Sequence, residues 1–112
     1  MKKIEATMKP FKVGEVKAAL VKEGIQGMTF AEVRDFSRHN GYVEAYRGIE
    51  YVVDILPRMR IEVIVGDDEV RAVIDIIIAA LRTGHLCDGQ IAILPVEDVI
   101  RIRTGQCVFK AS

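Results

Sequence analysis

Twice along this 112-residue chain, an alternation of apolar and polar residues gives way to an apolar stripe at three- and four-residue spacing. The first alternation sets Ile4, Ala6 and Met8 against Lys3, Glu5, Thr7 and Lys9 and stops at Pro10; the stripe Val13, Val16, Ala19, Leu20 follows. In the second, Met59, Ile61, Val63 and Val65 alternate with Arg58, Arg60, Glu62 and Ile64, and Val70, Val73, Ile74, Ile77, Ile78 and Leu81 follow. A period of two is a half-buried strand and a period of 3.6 an amphipathic helix, so each half must build a strand and then a helix. An extended run closes each half: residues 28–36, rich in β-branched and aromatic residues, and Ile91 to Val96. Two successive β-α-β units predict an α+β, ferredoxin-like fold, an antiparallel sheet with both helices on one face.

Local signals give expected boundaries. Helix one runs from Val13 to about Ile25 with Gly24 as its stop; Asp67 and Asp68 offer an N-cap to helix two, which ends at Arg82, Thr83 and Gly84. The strand of residues 57–65 turns Arg58, Arg60 and Glu62 to a charged, available face. Val99 to Arg103 reads as a short strand with Arg101 and Arg103 side by side, and the tail 104–112 has no period. A sheet with one uncovered, partly apolar face calls for oligomerisation.

Length and 50% hydrophobic content suit a single domain, 1–112, that buries roughly two-thirds of its unfolded surface. Sixteen basic residues balance sixteen acidic ones, which argues against nucleic acid or anionic lipid as a partner. The N-terminus has no signal-peptide apolar region and runs such as IDIIIAAL fall short of a span, so a cytoplasmic protein is expected. Cys87 and Cys107 have no C-x-x-C spacing and read as free thiols.

Residues 37–55 follow neither template, yet they hold every tyrosine: Tyr42, Tyr46 and Tyr51. A long connection without periodic structure in so small a domain is usually functional or disordered. One reading is an extended hairpin whose tyrosines pack together. The other is a protruding contact arm, since Tyr and Arg, as in Tyr46-Arg47, anchor interfaces.

Tyr46-Arg47-Gly48-Ile49-Glu50-Tyr51, preceded by Glu44, resembles the T-loop of the PII signal-transduction family. Met1-Lys2-Lys3-Ile4, Lys9-Pro10-Phe11-Lys12, Thr83-Gly84, Asp88-Gly89 and Val99-Ile100-Arg101-Ile102-Arg103-Thr104-Gly105 are similar to its other signatures. The resemblance implies a homotrimer with a T-loop at about 37–55, a B-loop at about 82–90 and a C-terminal tail at about 104–112. It implies a regulatory function, with ATP or ADP as a regulatory ligand in inter-subunit clefts and no tightly bound cofactor. Thr29, Arg38, Glu62, Ile64, Thr83, Cys87, Asp88, Gly89, Gln90, Arg101 and Arg103 would form the nucleotide site, Glu62 serving the ribose, Ile64 the adenine and the arginines the phosphates. Tyr46, Arg47 and Gly48 would touch the target, an ammonium-channel-like transporter or a metabolic enzyme, and Tyr51 matches a tyrosine that some members have nucleotidylated.

His39, Gly41 and Arg58 fall at the positions of the family's Mg²⁺-dependent 2-oxoglutarate site. His39 replaces the usual glutamine, and Asn40, Arg58 and Gln90 replace lysines; Asp35, Ser37 and Cys87 stand at glycine positions. Not one lysine lies between Glu23 and Phe109. Losing a charge-assisted phosphate contact at Gln90 should cost roughly 1.5–3 kcal/mol. Imidazole is a poor Mg²⁺ donor and a guanidinium fork does not fit a lysine's pocket unchanged, so altered or lost 2-oxoglutarate sensing is expected.

Two other classes compete. A sensor of another ligand, such as bicarbonate with AMP or ADP in carbon metabolism, keeps the same frame. A metal module would use His85, Cys87 and Asp88, though His-x-Cys lacks structural-zinc spacing. An enzyme is disfavoured, because no H-E-x-x-H or nucleophile elbow occurs and no positioned base is evident.

Overall fold

The structure is a computed structural model describing residues 1–36, 55–84 and 89–108 in full, and the backbone of Tyr42–Tyr46 and Ile49–Val53. Strand β1 (Lys2–Met8) leads through a 3-10 turn (Pro10–Lys12) into helix α1 (Val13–Lys22), and β2 (Thr29–Phe36) follows. β3 (Tyr42–Tyr46) and β4 (Ile49–Val53) precede β5 (Ile55–Val65), a second 3-10 turn (Asp67–Glu69), α2 (Val70–Leu81) and β6 (Gly89–Pro95). The order across the main sheet is β2-β5-β1-β6, every neighbour antiparallel, which is the ferredoxin-like arrangement.

One face of that sheet makes the core. Ile4, Ala6 and Met8 of β1 and Ile61, Val63 and Val65 of β5 pack on Val16 and Leu20 of α1 and Val73, Ile77 and Leu81 of α2. All eleven are at most 7% exposed, so the two periodicities read from the sequence are one contact surface seen from both sides.

Helix ends differ from expectation. α1 stops three residues early, in a Schellman motif: Gly24, at φ 94°, donates its N–H to the Val21 carbonyl (3.0 Å) and Ile25 donates to Leu20 (3.1 Å). Neither Asp67 nor Asp68 caps α2; the cap position is Glu69 without a side-chain bond, and Asp67 Oδ1 instead meets the Met1 ammonium at 2.9 Å. A 3-10 turn intervenes, which carries the two carboxylates away from the first amides of the helix.

Three strand readings are corrected. β5 begins at Ile55, two residues before the expected start, and Arg58, opposite Val33 in the β2–β5 ladder, is only 9% exposed and so is not available in the way expected for that face. The segment 37–55 is not without periodic structure: β3 and β4 form an antiparallel hairpin from Tyr42↔Val53 to Tyr46↔Ile49, of the kind that two residues such as Arg47-Gly48 can join. The packing of its tyrosines lies outside the described residues. The hairpin pairs with itself and not with the main sheet. The molecule measures 64 × 28 × 21 Å, with a radius of gyration of 17.3 Å; a compact chain of this length would have about 13 Å.

The third correction concerns residues 99–108. Ile100 makes one bridge to Cys107, residues 102–104 turn, and the chain doubles back. Arg101 and Arg103 therefore do not share a strand face, and part of the tail expected to lack order is held. Among the described residues, no helix is long and apolar enough to cross a membrane.

Candidate functional site

Strand register converts the sequence into a site. Glu62 pairs with Thr29 on one side and Glu5 on the other, and Ile64 pairs with Lys3. Directly opposed residues in an antiparallel sheet share a face, so Thr29, Glu62, Ile64 and Lys3 all stand on the face away from the helices. They line a cavity of about 750 Å³, closed on one side by Gly24 to Met28 and on the other by Val99, Arg101 and Val108. Small-ligand clefts span roughly 300–1,000 Å³.

The cavity is charged: Lys3, Glu62, Glu69 and Arg101 line it, and ion pairs join its floor to neighbouring residues. Glu62 Oε1 takes the Arg60 Nε–H at 3.1 Å and lies 4.0 Å from Lys3 Nζ, which also pairs with Glu5 at 3.0 Å. Lys3 and Glu62 line the cavity, and Glu5 and Arg60 pair with them from beside it. A ligand hydroxyl could add a bond to Glu62 through its remaining lone pairs without displacing a cation. Ile64, 37% exposed, offers an apolar shelf beside it, and Arg101 offers a guanidinium fork on the third wall.

Of the eleven nucleotide-site candidates, the structure brings four together: Thr29, Glu62, Ile64 and Arg101. Gly89 and Gln90 lie at the far edge of the sheet, paired with Met8 and Thr7, and line a separate cavity of about 460 Å³ with Arg82, Arg71 and isoleucines of α2. They open β6 rather than belonging to the preceding loop, and Gly89, at φ 130°, packs so closely on the Thr7 carbonyl that no side chain fits. Thr83 lies two residues past the end of α2. Arg103 sits exposed in the 102–104 turn and does not line the first cavity. Arg38, Cys87 and Asp88 lie outside the described residues, as do His85 and the effector candidates His39 and Gly41.

Arg58 stands apart from both groups. It lines a third cavity of about 560 Å³ with Pro10, Glu32, Val33, Arg34, Pro57 and Met59, and donates to the Pro57 carbonyl at 3.4 Å. Tyr46 ends β3 and Tyr51 is central in β4, with Glu44 opposite it; Arg47 and Gly48 lie outside the described residues. Among the described residues, no cluster of His, Cys, Asp and Glu could hold a metal, and Cys107 is a free, exposed thiol.

Sequence reasoning missed Lys3, the Gly24–Met28 turn, Val99 and Val108 as parts of the cavity. Lys3 had a signal, since it shares the period-2 face of Glu5, but only the ladder reveals that Ile64 is its neighbour. Asp98, whose carboxylate accepts the Val99 N–H at 2.7 Å and the Cys107 thiol at 2.9 Å, had none. That carboxylate, through its hydrogen bond first and its charge second, holds the Cys107 thiol above its ordinary pKa.

Comparison with known proteins agrees with the arrangement. The sequence matches the model of the family described as Nitrogen regulatory protein P-II over residues 1–106. The protein named nitrogen regulatory protein P-II of Nostoc punctiforme is 57% identical over 106 residues, 95% of each chain. Its namesake in Mesorhizobium japonicum is 53% identical over 106 residues, again 95% of each. That of Pyropia yezoensis is 51% identical over 111 residues, 99% of each. The family is regulatory and not enzymatic. With the ferredoxin-like sheet, the long hairpin and a match across nearly its whole length, this chain belongs to the P-II family of nitrogen regulatory proteins.

Proposed function

We propose that the chain reads adenine nucleotide, ATP or ADP, in clefts completed between the subunits of a homotrimer. It reports that state to a transporter or metabolic enzyme through the β3–β4 hairpin and its tip, Tyr46, Arg47 and Gly48. The observation that carries the reading is the meeting of Thr29, Glu62, Ile64 and Arg101 in one cavity. A carboxylate for ribose hydroxyls, an aliphatic shelf for the base and a guanidinium for phosphate are the three chemistries a nucleotide requires.

Gly89 and Gln90 stand at the opposite sheet edge, and Thr83 follows the end of α2 in sequence. One chain therefore carries two partial sites, and a second copy set edge to edge would unite them. The elongated hairpin suits a contact arm, and Tyr51, in β4, is a candidate for modification. For 2-oxoglutarate the supporting facts point the other way: Arg58 is buried, bonded to a backbone carbonyl and in a cavity distinct from that of Glu62. Sensing of that ligand is altered or lost.

Calorimetric titration of the assembled protein with ATP and with ADP, each with and without Mg²⁺ and 2-oxoglutarate, tests this reading. Micromolar binding of either nucleotide, with no 2-oxoglutarate heat, is expected. No heat with any nucleotide would refute the nucleotide assignment, and tight Mg-ATP-dependent 2-oxoglutarate binding would refute its second half.

A further inference from the structure

Beyond β6 the chain forms a strap, residues 99 to 108, that closes on itself. Arg101 N–H donates to the Gln106 carbonyl (2.9 Å), Gly105 N–H to Arg101 (2.7 Å) and Val108 N–H to Val99 (2.7 Å). Gly105, at φ 69°, makes the turn. Strap residues then divide by face. Val99, Arg101 and Val108 line the 750 Å³ cavity, whereas Ile100 and Ile102 are turned to solvent.

One side chain ties both limbs of the strap. Asp98 Oδ1 accepts from the Val99 amide at the root of the outgoing limb, and Oδ2 accepts from the Cys107 thiol on the returning one. Three backbone bonds on an exposed ten-residue excursion are a weak closure, since each exchanges readily with water. A carboxylate bridging the two limbs removes the opening mode in which they separate.

We propose that Asp98 is a positioning residue: it latches the strap shut through Cys107 and so keeps Arg101 in the wall of the cavity, setting the cavity's affinity for a phosphate-bearing ligand. Asp98 does not itself line the cavity; it acts through the strap. Because the same carboxylate discourages thiolate formation, the sulfur stays a donor at neutral pH. The affinity clause rests on the nucleotide reading above, and the latch itself does not.

Hydrogen exchange of the Arg101, Gly105 and Val108 amides, followed in the ligand-free assembled protein, tests the latch. Asp98→Ala should speed exchange about three- to tenfold and Cys107→Ala somewhat less, whereas Cys107→Ser, whose hydroxyl still donates, should restore wild-type rates. ATP titrations of the same variants should show affinity falling by a similar factor in Asp98→Ala and Cys107→Ala but not in Cys107→Ser. Unchanged exchange in Asp98→Ala, or a Cys107→Ser variant that behaves like Cys107→Ala, would overturn the latch. Faster exchange with undiminished ATP affinity would overturn the positioning role. If the wild type binds no ATP, the nucleotide reading falls and the exchange rates alone decide the latch.

Discussion

The cavity has two kinds of wall. Glu62 and Ile64 stand on the strand that carries the core residues Ile61, Val63 and Val65, and Thr29 stands on β2, laddered to it, so this wall moves only if the sheet moves. Arg101 and Val108 stand on a strap held by three backbone bonds and one exposed carboxylate. The contrast teaches that the parts proposed to meet a sugar and base can be fixed by the global stability of the fold. The part proposed to meet phosphate rests on local closure, costs little to open and can respond. The strap is where regulation of such a cavity would be least expensive to build.

The sharpest way to break the comparison is to weaken the sheet wall from behind. Ile61 is 1% exposed, packs among the helices and lies next in sequence to Glu62. Ile61→Ala should cost about 3 kcal/mol of unfolding free energy, by lost burial and a cavity that the surrounding residues cannot fully close. Urea denaturation would read it as a lower midpoint at unchanged slope. Strap variants such as Asp98→Ala should leave the unfolding free energy unchanged within about 0.5 kcal/mol, as surface changes do. Equal losses at both positions would erase the distinction between the walls.

Next in size is Gly89→Ala. The backbone there sits at φ 130°, and an added methyl group would collide with the Thr7 carbonyl. We expect a loss of about 2 kcal/mol, strain and displacement together. Faster amide exchange should be confined to the β1–β6 edge. Gly24→Ala sharpens the scale from below. It holds φ 94° in open space, with no atom near the place of the new methyl, so only the backbone cost of about 1 kcal/mol remains. Gly24 also lines the main cavity, and a loosened Schellman turn should lower nucleotide affinity modestly in calorimetry.

These residues also mark how far the sequence could be read. The core was legible because burial repeats: Ile4, Ala6 and Met8, and the stripe from Val70 to Leu81, sit at the periods their elements impose. The ferredoxin-like order followed from two such units. Glu62 and Ile64 were legible only through likeness to known proteins. Their meeting with Lys3 is a matter of register between strands some sixty residues apart, which no local pattern encodes. Arg58 lies in the strand that alternation predicts, but its burial depends on what the fold packs around it, Val33 across the ladder among them, and no alternation reveals that. The hairpin is one of the two readings the sequence leaves open for residues 37–55: Tyr42–Tyr46 and Ile49–Val53 mix polar and apolar residues without a clean face, so only their pairing with one another decides for it. The Asp98–Cys107 contact joins two residues whose types imply nothing about each other.

The smallest effect lies at the root of the strap. The Met1 ammonium pairs with Asp67 at 2.9 Å, and the Met1 carbonyl accepts from Val96 N–H at 3.3 Å, so the first residue ties the approach to α2 to the end of β6. The ammonium, by hydrogen bond and by charge, holds the Asp67 carboxyl below its usual value, with a lesser push from Lys2. A depressed carboxylate pKa contributes stability that is present above the unfolded value of about 4 and is lost as pH falls through the folded one. Asp67→Asn should therefore unfold slightly more easily than wild type at pH 7, and the gap should shrink towards pH 3. Because Asp67 is 71% exposed, the difference should also fade in high salt. A gap that persists unchanged at pH 3 would mean that Asp67 acts through its shape and not its charge.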